Sequence, residues 1–100
     1  MGMKSRRKGK AAEREVVKLA QQHGLEARRT WQNAQAGDPL ERRCDVTVAG
    51  RRCQVKVAAD GFRQLYAGLE SVDTLFVRSD RHEWIAALPA DQFLELLRPH

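Results

Sequence analysis

The chain has 100 residues, of which 42% are hydrophobic, and these values suit a single domain with a modest core. It contains no stretch of about 18 apolar residues that could cross a membrane, and its basic N-terminus lacks the apolar segment of a secretion signal. Its two cysteines, Cys44 and Cys53, are too few for a disulfide scaffold or for a zinc site of their own. We therefore expect a cytoplasmic protein with reduced thiols.

Charge is unevenly distributed along the chain. The net charge of +5 divides into +8 over residues 1–56 and −3 over residues 57–100. Such asymmetry indicates one surface that meets a polyanion, most simply nucleic acid, although a solvated basic tail is the alternative. Residues 1–8 have almost nothing to bury, so we predict a flexible basic tail there and a single domain over residues 9–98.

The first half of the chain predicts a helix, a strand and a hairpin. Apolar side chains recur three and four residues apart over residues 9–23, as in an amphipathic helix that Gly24 is suited to end. Alternation over residues 25–31 predicts a strand, and the polar residues 32–43 predict a loop. Residues 44–48 and 51–57 flank Ala49-Gly50, which predicts a hairpin with a two-residue turn.

The two faces of that hairpin differ in chemistry. With this turn Val48 faces Arg51, and Asp45 falls opposite Gln54. Because side chains alternate along a strand, one face is apolar and consists of Cys44, Val46, Val48, Cys53, Val55 and Val57. The opposite face gathers the polar side chains of Asp45, Thr47, Gln54 and Lys56. We therefore expect the apolar face to lie in the core and the other to form a polar cluster.

The second half of the chain continues with alternating helices and strands. Patterns over residues 62–69 and 90–97 predict helices, and patterns over residues 73–78 and 83–88 predict strands. The full order is α-β-β-β-α-β-β-α. It predicts an α/β fold in which helices cover a mixed central sheet.

The polar cluster has the composition of a metal-dependent hydrolytic site. Oxygen atoms of Asp45 and Gln54 can share a hard cation such as Mg²⁺. The ammonium group of Lys56 can stabilise the charge that develops on a reacting phosphate or position a water molecule.

These residues resemble the PD-(D/E)XK nuclease superfamily and, within it, the Holliday junction resolvases, including small phage and prophage members. The matching motifs are Lys8-Gly9-Lys10 and Glu13-Arg14-Glu15 at the first helix, Asp45 on the second strand and Gln54-Val55-Lys56 on the third. Residues 62–70 and the L-F-V-R and W-I-A-A-L-P segments are similar too, so the resemblance covers residues 8–97. It implies the restriction-endonuclease-like α-β-β-β-α-β core.

The resemblance also implies a role for each matched residue. Glu13 would be a helix-borne carboxylate that reaches the metal directly or through water, and Asp45 the central metal ligand. Gln54 would be a metal ligand where the family usually has Glu, and Lys56 the catalytic lysine. The implied activity is Mg²⁺-dependent hydrolysis of phosphodiesters in branched DNA, with Mn²⁺ as a substitute. The family acts as a homodimer in DNA recombination, here in a bacterial or phage-infected cell.

Two alternatives to an active nuclease stay open. Because Gln54 removes one negative charge from the site, one alternative is a relative that binds branched or duplex DNA without cleaving it. Glu13, or Asp38 and Glu41 of the loop, are the candidates to make up the missing charge. The other alternative is a protein-interaction domain or inhibitor with no affinity for nucleic acid.

Basic residues near the site predict contacts with DNA phosphates. Arginine doublets suit this role because the guanidinium fork matches phosphate oxygens, although an ordinary charged surface is the alternative. The predicted DNA-binding residues are Arg6, Arg7, Lys8, Lys10, Arg28, Arg29, Arg42, Arg43, Arg51 and Arg52. The apolar contact of a homodimer would come from Leu65, Leu69, Trp84 or Leu88.

Overall fold

The computed structural model describes residues 2–30 and 44–99, and their elements follow the predicted order. These are α1 (Gly2–Gln22), β1 (Ala27–Arg29), β2 (Val46–Val48), β3 (Arg51–Cys53), α2 (Arg63–Gly68), β4 (Leu75–Val77), β5 (Ile85–Ala87) and α3 (Ala90–Leu97). The protein is therefore a small mixed α/β protein. Helix α3 covers the predicted residues, whereas every strand is shorter than predicted.

Helix α1 begins at Gly2 instead of the predicted Gly9, so its backbone takes in most of the basic segment. The flexibility of residues 1–8 stays a prediction. Gly24 ends the helix with a φ of +78°, as predicted. The Gly24 N–H donates to the Gln21 C=O at 2.9 Å and the Leu25 N–H to the Ala20 C=O at 3.1 Å. These two bonds form a Schellman motif, which satisfies carbonyl groups at the helix end.

Strands β1, β2 and β3 form an antiparallel sheet in that order. Val48 pairs with Arg51, so the predicted two-residue turn is confirmed. Both turn residues, Ala49 and Gly50, have positive φ values of 50° and 79°. That conformation matches the right-handed twist of the two strands, and Ala49 adopts it although it carries a Cβ.

The core lies between this sheet and helices α1 and α3. Its buried members are Ala20, Leu25, Ala27, Val46, Val48 and Leu94. The apolar face predicted for the hairpin therefore points into the core along β2, while Val57, beyond the end of β3, is 50% exposed. None of the residues of α2, β4 or β5 is buried.

Strands β4 and β5 pair with each other in a second antiparallel sheet. The described strands therefore form two antiparallel sheets instead of the single mixed sheet that the sequence predicts. The second sheet packs against α2 at Gly68, where a Cβ would lie 2.7 Å from the Leu75 Cδ2 atom. Among the described helices, none is both long and apolar enough to cross a membrane.

Candidate active site

Asp45 lies at the junction of three backbone segments. Its C=O accepts a hydrogen bond from the Thr30 N–H at 3.1 Å, and its N–H donates to the Cys53 C=O at 2.8 Å. Its carboxylate accepts a hydrogen bond from the Val55 N–H, with Oδ2 2.7 Å from the nitrogen. The residue is thus attached to the end of β1, the end of β3 and the segment that follows β3.

The pairing of the hairpin changes at Asp45. Val46 pairs with Cys53, and the Asp45 N–H also bonds to Cys53, so two residues of one strand oppose a single residue of the other. This is the arrangement of a β-bulge, which re-aims side chains and locally ends the regular ladder. The predicted cross-strand pair of Asp45 with Gln54 is replaced by the contact of the Asp45 carboxylate with the Val55 backbone.

Strand β3 was predicted to continue through residue 57. It ends early because the Val55 N–H is bonded to a carboxylate instead of a neighbouring strand. Val55 packs against the core, whereas Gln54 and Lys56 on either side of it are exposed. Both line one cavity of about 560 Å³. The Asp45 carboxylate therefore contacts the middle of the triplet whose two outer side chains border this cavity.

Glu13 has a different environment from Asp45. Its Oε1 atom accepts a hydrogen bond from the Arg29 Nε at 3.0 Å. Both side chains are largely buried, with exposed fractions of 20% for Glu13 and 19% for Arg29. In residues 2–30 and 44–99, no three His, Cys, Asp or Glu side chains form a group that could hold a metal ion. The role of Glu13 as a metal ligand stays a prediction.

The donor atoms of Asp45 and Gln54 suit Mg²⁺. This ion prefers oxygen ligands, keeps several waters, and is commonly bound by one or two carboxylates together with substrate phosphates. A carboxylate that accepts one N–H bond retains further lone pairs, and the Gln54 amide oxygen is an additional donor to the metal. The Asp45 carboxylate and the Gln54 amide therefore have donor atoms of the kind that Mg²⁺ prefers, whereas the Glu13 carboxylate is bonded to Arg29.

Strand alternation separates the members of the two arginine doublets on described strands, Arg28-Arg29 and Arg51-Arg52. Arg28 and Arg52 both pair with Thr47, so they lie in one row across the face of the sheet opposite the core. The other two reach the helices that cover the core. Arg29 bonds to Glu13 of α1, and the Arg51 guanidinium carbon lies 5.8 Å from the centre of the Phe93 ring of α3.

Several predicted site residues lie outside the part of the chain whose side chains the structure describes. These are Arg6, Arg7, Lys8, Asp38, Glu41, Arg42 and Arg43. Lys10 is described and is exposed on α1. The predicted phosphate contacts of all these basic residues stay predictions.

A second ionic cluster joins α1 to α3. The ring nitrogens of His23 lie 2.8 Å from a Glu95 oxygen and 2.9 Å from an Asp91 oxygen. The hydrogen bonds to Asp91 and to Glu95 raise the pKa of His23. His23 and Arg98 together lower the pKa of Glu95. The sequence shows only a histidine near a helix end, and the separation of 68 and 72 residues leaves no local signal of this contact.

No family model matches the chain, and no curated protein or solved structure is detectably similar to it.

Proposed function

We propose that this protein is a metal-dependent endonuclease that cuts phosphodiesters in branched DNA, of the Holliday junction resolvase type. The observation that carries the proposal is the hydrogen bond between the Asp45 carboxylate and the Val55 amide. It sets an acidic group against the Gln54-Val55-Lys56 triplet, and these are the residues on which the resemblance to PD-(D/E)XK nucleases rests. The protein would act in the cytoplasm of a bacterial or phage-infected cell.

Each residue of the cluster has a distinct task in this proposal. Asp45 supplies negative charge, and the Val55 N–H fixes the orientation of its carboxylate. Gln54 supplies a neutral oxygen, and Lys56 supplies a positive charge for the phosphate oxygens. When bound, Mg²⁺ provides Lewis acidity and lowers the pKa of a coordinated water. Overall, water adds to phosphorus, and a phosphorus–oxygen bond of the DNA backbone breaks to leave a phosphate monoester and a hydroxyl group.

Cleavage of a labelled four-way junction, beside a matched linear duplex, tests the proposal in Mg²⁺, Mn²⁺ and EDTA. We expect metal-dependent paired nicks at the junction, and loss of at least about a hundredfold in rate for Asp45→Asn and Lys56→Met. Asn retains an oxygen that can accept the Val55 N–H bond, so this variant should fold. Full cleavage by either folded variant contradicts the proposal.

Two matched variants control for the change in charge. Asp73→Asn and Lys18→Met make the same substitutions at exposed positions outside the site. Both should cleave the junction at a rate close to that of the wild type. Circular dichroism of every variant establishes that the compared proteins are folded.

DNA binding without cleavage is the second candidate function. It is favoured by the hydrogen bond between Arg29 and Glu13, since this bond occupies the carboxylate expected to assist Asp45. It is also favoured by the neutral Gln54 side chain. A folded protein that binds the junction tightly in Mg²⁺ and Mn²⁺ but leaves it uncut would establish this function.

A homodimer would supply one active site for each of two DNA strands. Of the four residues considered for the contact, Trp84 is 63% exposed, whereas Leu65, Leu69 and Leu88 are half-buried. Trp84 is therefore the best placed of the four to contact a second copy. Sedimentation of the wild type and Trp84→Ala across a concentration series measures this association.

A further inference from the structure

The partly open cavity beside Lys56 is lined by segments from both halves of the chain. One wall is formed by Gln54 and Lys56, which follow β3. The opposite walls are apolar and come from α2 and from the connection between β5 and α3. Their lining residues are Phe62, Leu65, Tyr66, Leu69, Ala87, Leu88, Pro89 and Ala90.

The size and chemistry of this cavity restrict what it can bind. Its volume of about 560 Å³ falls in the range of pockets that enclose a small organic ligand. Apart from two polar residues and the Tyr66 hydroxyl, the described lining is apolar, and it includes no acidic side chain. It therefore suits a ligand with a flat apolar body, a few hydrogen-bonding groups and a negative charge near Lys56.

A smaller cavity of about 240 Å³ adjoins the first. The two share three lining residues, Lys56, Phe62 and Tyr66. Lys56 thus stands between two openings instead of at a closed end. This arrangement suits a ligand that continues past the lysine on both sides, as a nucleic-acid strand does.

We propose that the larger cavity receives one unpaired nucleobase of a DNA strand while Lys56 binds the adjacent phosphate. This inference rests on the proposed function, because it takes DNA as the partner, and it identifies the local structure that the protein selects. The base lies against the apolar walls, with the Gln54 amide available to its edge. A base held in a duplex pair cannot enter, so a bulge or branch point is favoured over uninterrupted duplex.

Binding to three duplexes in EDTA tests this inference without any cleavage. One duplex carries a single-nucleotide bulge of 2-aminopurine, the second an abasic bulge, and the third is fully paired. We expect the wild type to bind the 2-aminopurine bulge about tenfold more tightly than the paired duplex, with a change in its emission on stacking. The abasic bulge should bind no more tightly than the paired duplex.

Two variants that fill the cavity locate the site. Leu65→Trp adds bulk from α2, and Ala87→Ile adds bulk from β5. Each variant should lower the affinity for the 2-aminopurine bulge to the level of the paired duplex. The affinity for the paired duplex itself should stay within about twofold of the wild-type value. Leu96→Trp is the matched control, since Leu96 is 71% exposed on α3 and does not line the cavity.

The possible failures are distinguishable. Equal binding of the bulged and paired duplexes by the wild type overturns this inference and leaves the proposed function intact. A preference for the bulge that both folded filling variants retain also overturns it. Free deoxyadenosine monophosphate that competes with the bulged duplex at equal affinity would indicate a mononucleotide site instead. Absence of binding to every DNA overturns both the inference and the proposed function.

Discussion

A single residue, Asp45, links the chemistry of this protein to its fold. Its backbone bonds to Thr30 and Cys53, and its carboxylate bonds to the Val55 N–H. The same carboxylate that is predicted to bind metal therefore also ends β3 and leaves Gln54 and Lys56 exposed. Asp45→Ala would remove both the bond to the Val55 N–H and the negative charge of the site. Asp45→Asn removes the charge but keeps an oxygen that can accept this bond, so it tests the charge alone.

In the proposed metal site, the charge of residue 54 should determine how strongly a divalent cation binds. Gln54→Glu adds a second carboxylate to the proposed site, so the Mg²⁺ concentration for half-maximal junction cleavage should fall by about fivefold or more. A magnesium titration of the cleavage rate measures this change. Gln92→Glu, on the exposed surface of α3, makes the same substitution away from the site and should leave the requirement unaltered. An unchanged or higher requirement in Gln54→Glu would count against Gln54 as a metal ligand.

At the level of elements, His23 attaches the end of α1 to α3. Carboxylates only accept hydrogen bonds, so both ring nitrogens of His23 must carry a proton to bond Asp91 and Glu95 together. The doubly protonated ring is the charged form, which is the physical reason why the pKa of His23 is raised. Arg98 bonds to the same Glu95 side chain from the following turn.

This contact predicts a pH-dependent stability. Because folding raises the pKa of His23 above its ordinary value of 6.5, its contribution is complete below that pH and is lost as the pH rises through the folded-state pKa. Because folding lowers the pKa of Glu95, its contribution is lost as the pH falls below about 4.5. The link should therefore be strongest between these two values.

Thermal unfolding of the wild type and His23→Gln measures the effect. The melting temperature of the wild type should exceed that of the variant at pH 6, and the difference should shrink by pH 8. His82→Gln, which removes an exposed histidine, should give no such trend. A difference that grows with pH would contradict the ionic contact.

Strand β2 of the core should contribute more to the stability than the exposed segment that precedes β4. Val46 of β2 is fully buried, whereas Val72, just before β4, is 51% exposed. Val46→Ala removes buried methyl groups and leaves a cavity, so it should lower the free energy of unfolding by about 2 kcal/mol. Val72→Ala should change it by less than about 0.5 kcal/mol. Urea denaturation of both variants decides the comparison, and equal losses would contradict the described core.

For the molecule as a whole, the four predicted DNA-binding arginines that lie on described strands are divided between the two sides of the first sheet. Arg28 and Arg52 share its open face, while Arg29 and Arg51 contact the helices that cover the other face. Only the first pair extends from the face that no described helix covers. We therefore expect Arg28 and Arg52 to be the residues of the first sheet that contact DNA phosphates.

Salt dependence of DNA affinity tests this assignment. Each neutralised phosphate contributes a slope of about −0.9 to the logarithm of affinity against the logarithm of salt concentration. The double variant Arg28→Gln and Arg52→Gln should reduce the magnitude of the slope by about 2. Arg81→Gln with Arg98→Gln removes the same charge from exposed positions outside the first sheet and the two cavities, so the slope of this double variant should match that of the wild type. Equal slopes in both double variants would contradict the assignment.

Local chemistry in the sequence was sufficient to predict the order of the elements, the left-handed end of α1 at Gly24 and the turn at Ala49-Gly50. Periodicity also identified which hairpin face is buried. These features depend on neighbours within a few residues, because side-chain spacing and the allowed φ values act locally.

Tertiary structure decided the features that depend on distant partners. The Val55 N–H bonds to the Asp45 carboxylate just beyond the end of β3, and the five described strands form two sheets. Arg29 is bonded to the carboxylate of Glu13, and His23 is bonded to Asp91 and Glu95 of α3. Periodicity states which face a side chain occupies, but the hydrogen-bond partner on that face depends on how the elements pack, since the partner lies many residues away in the chain.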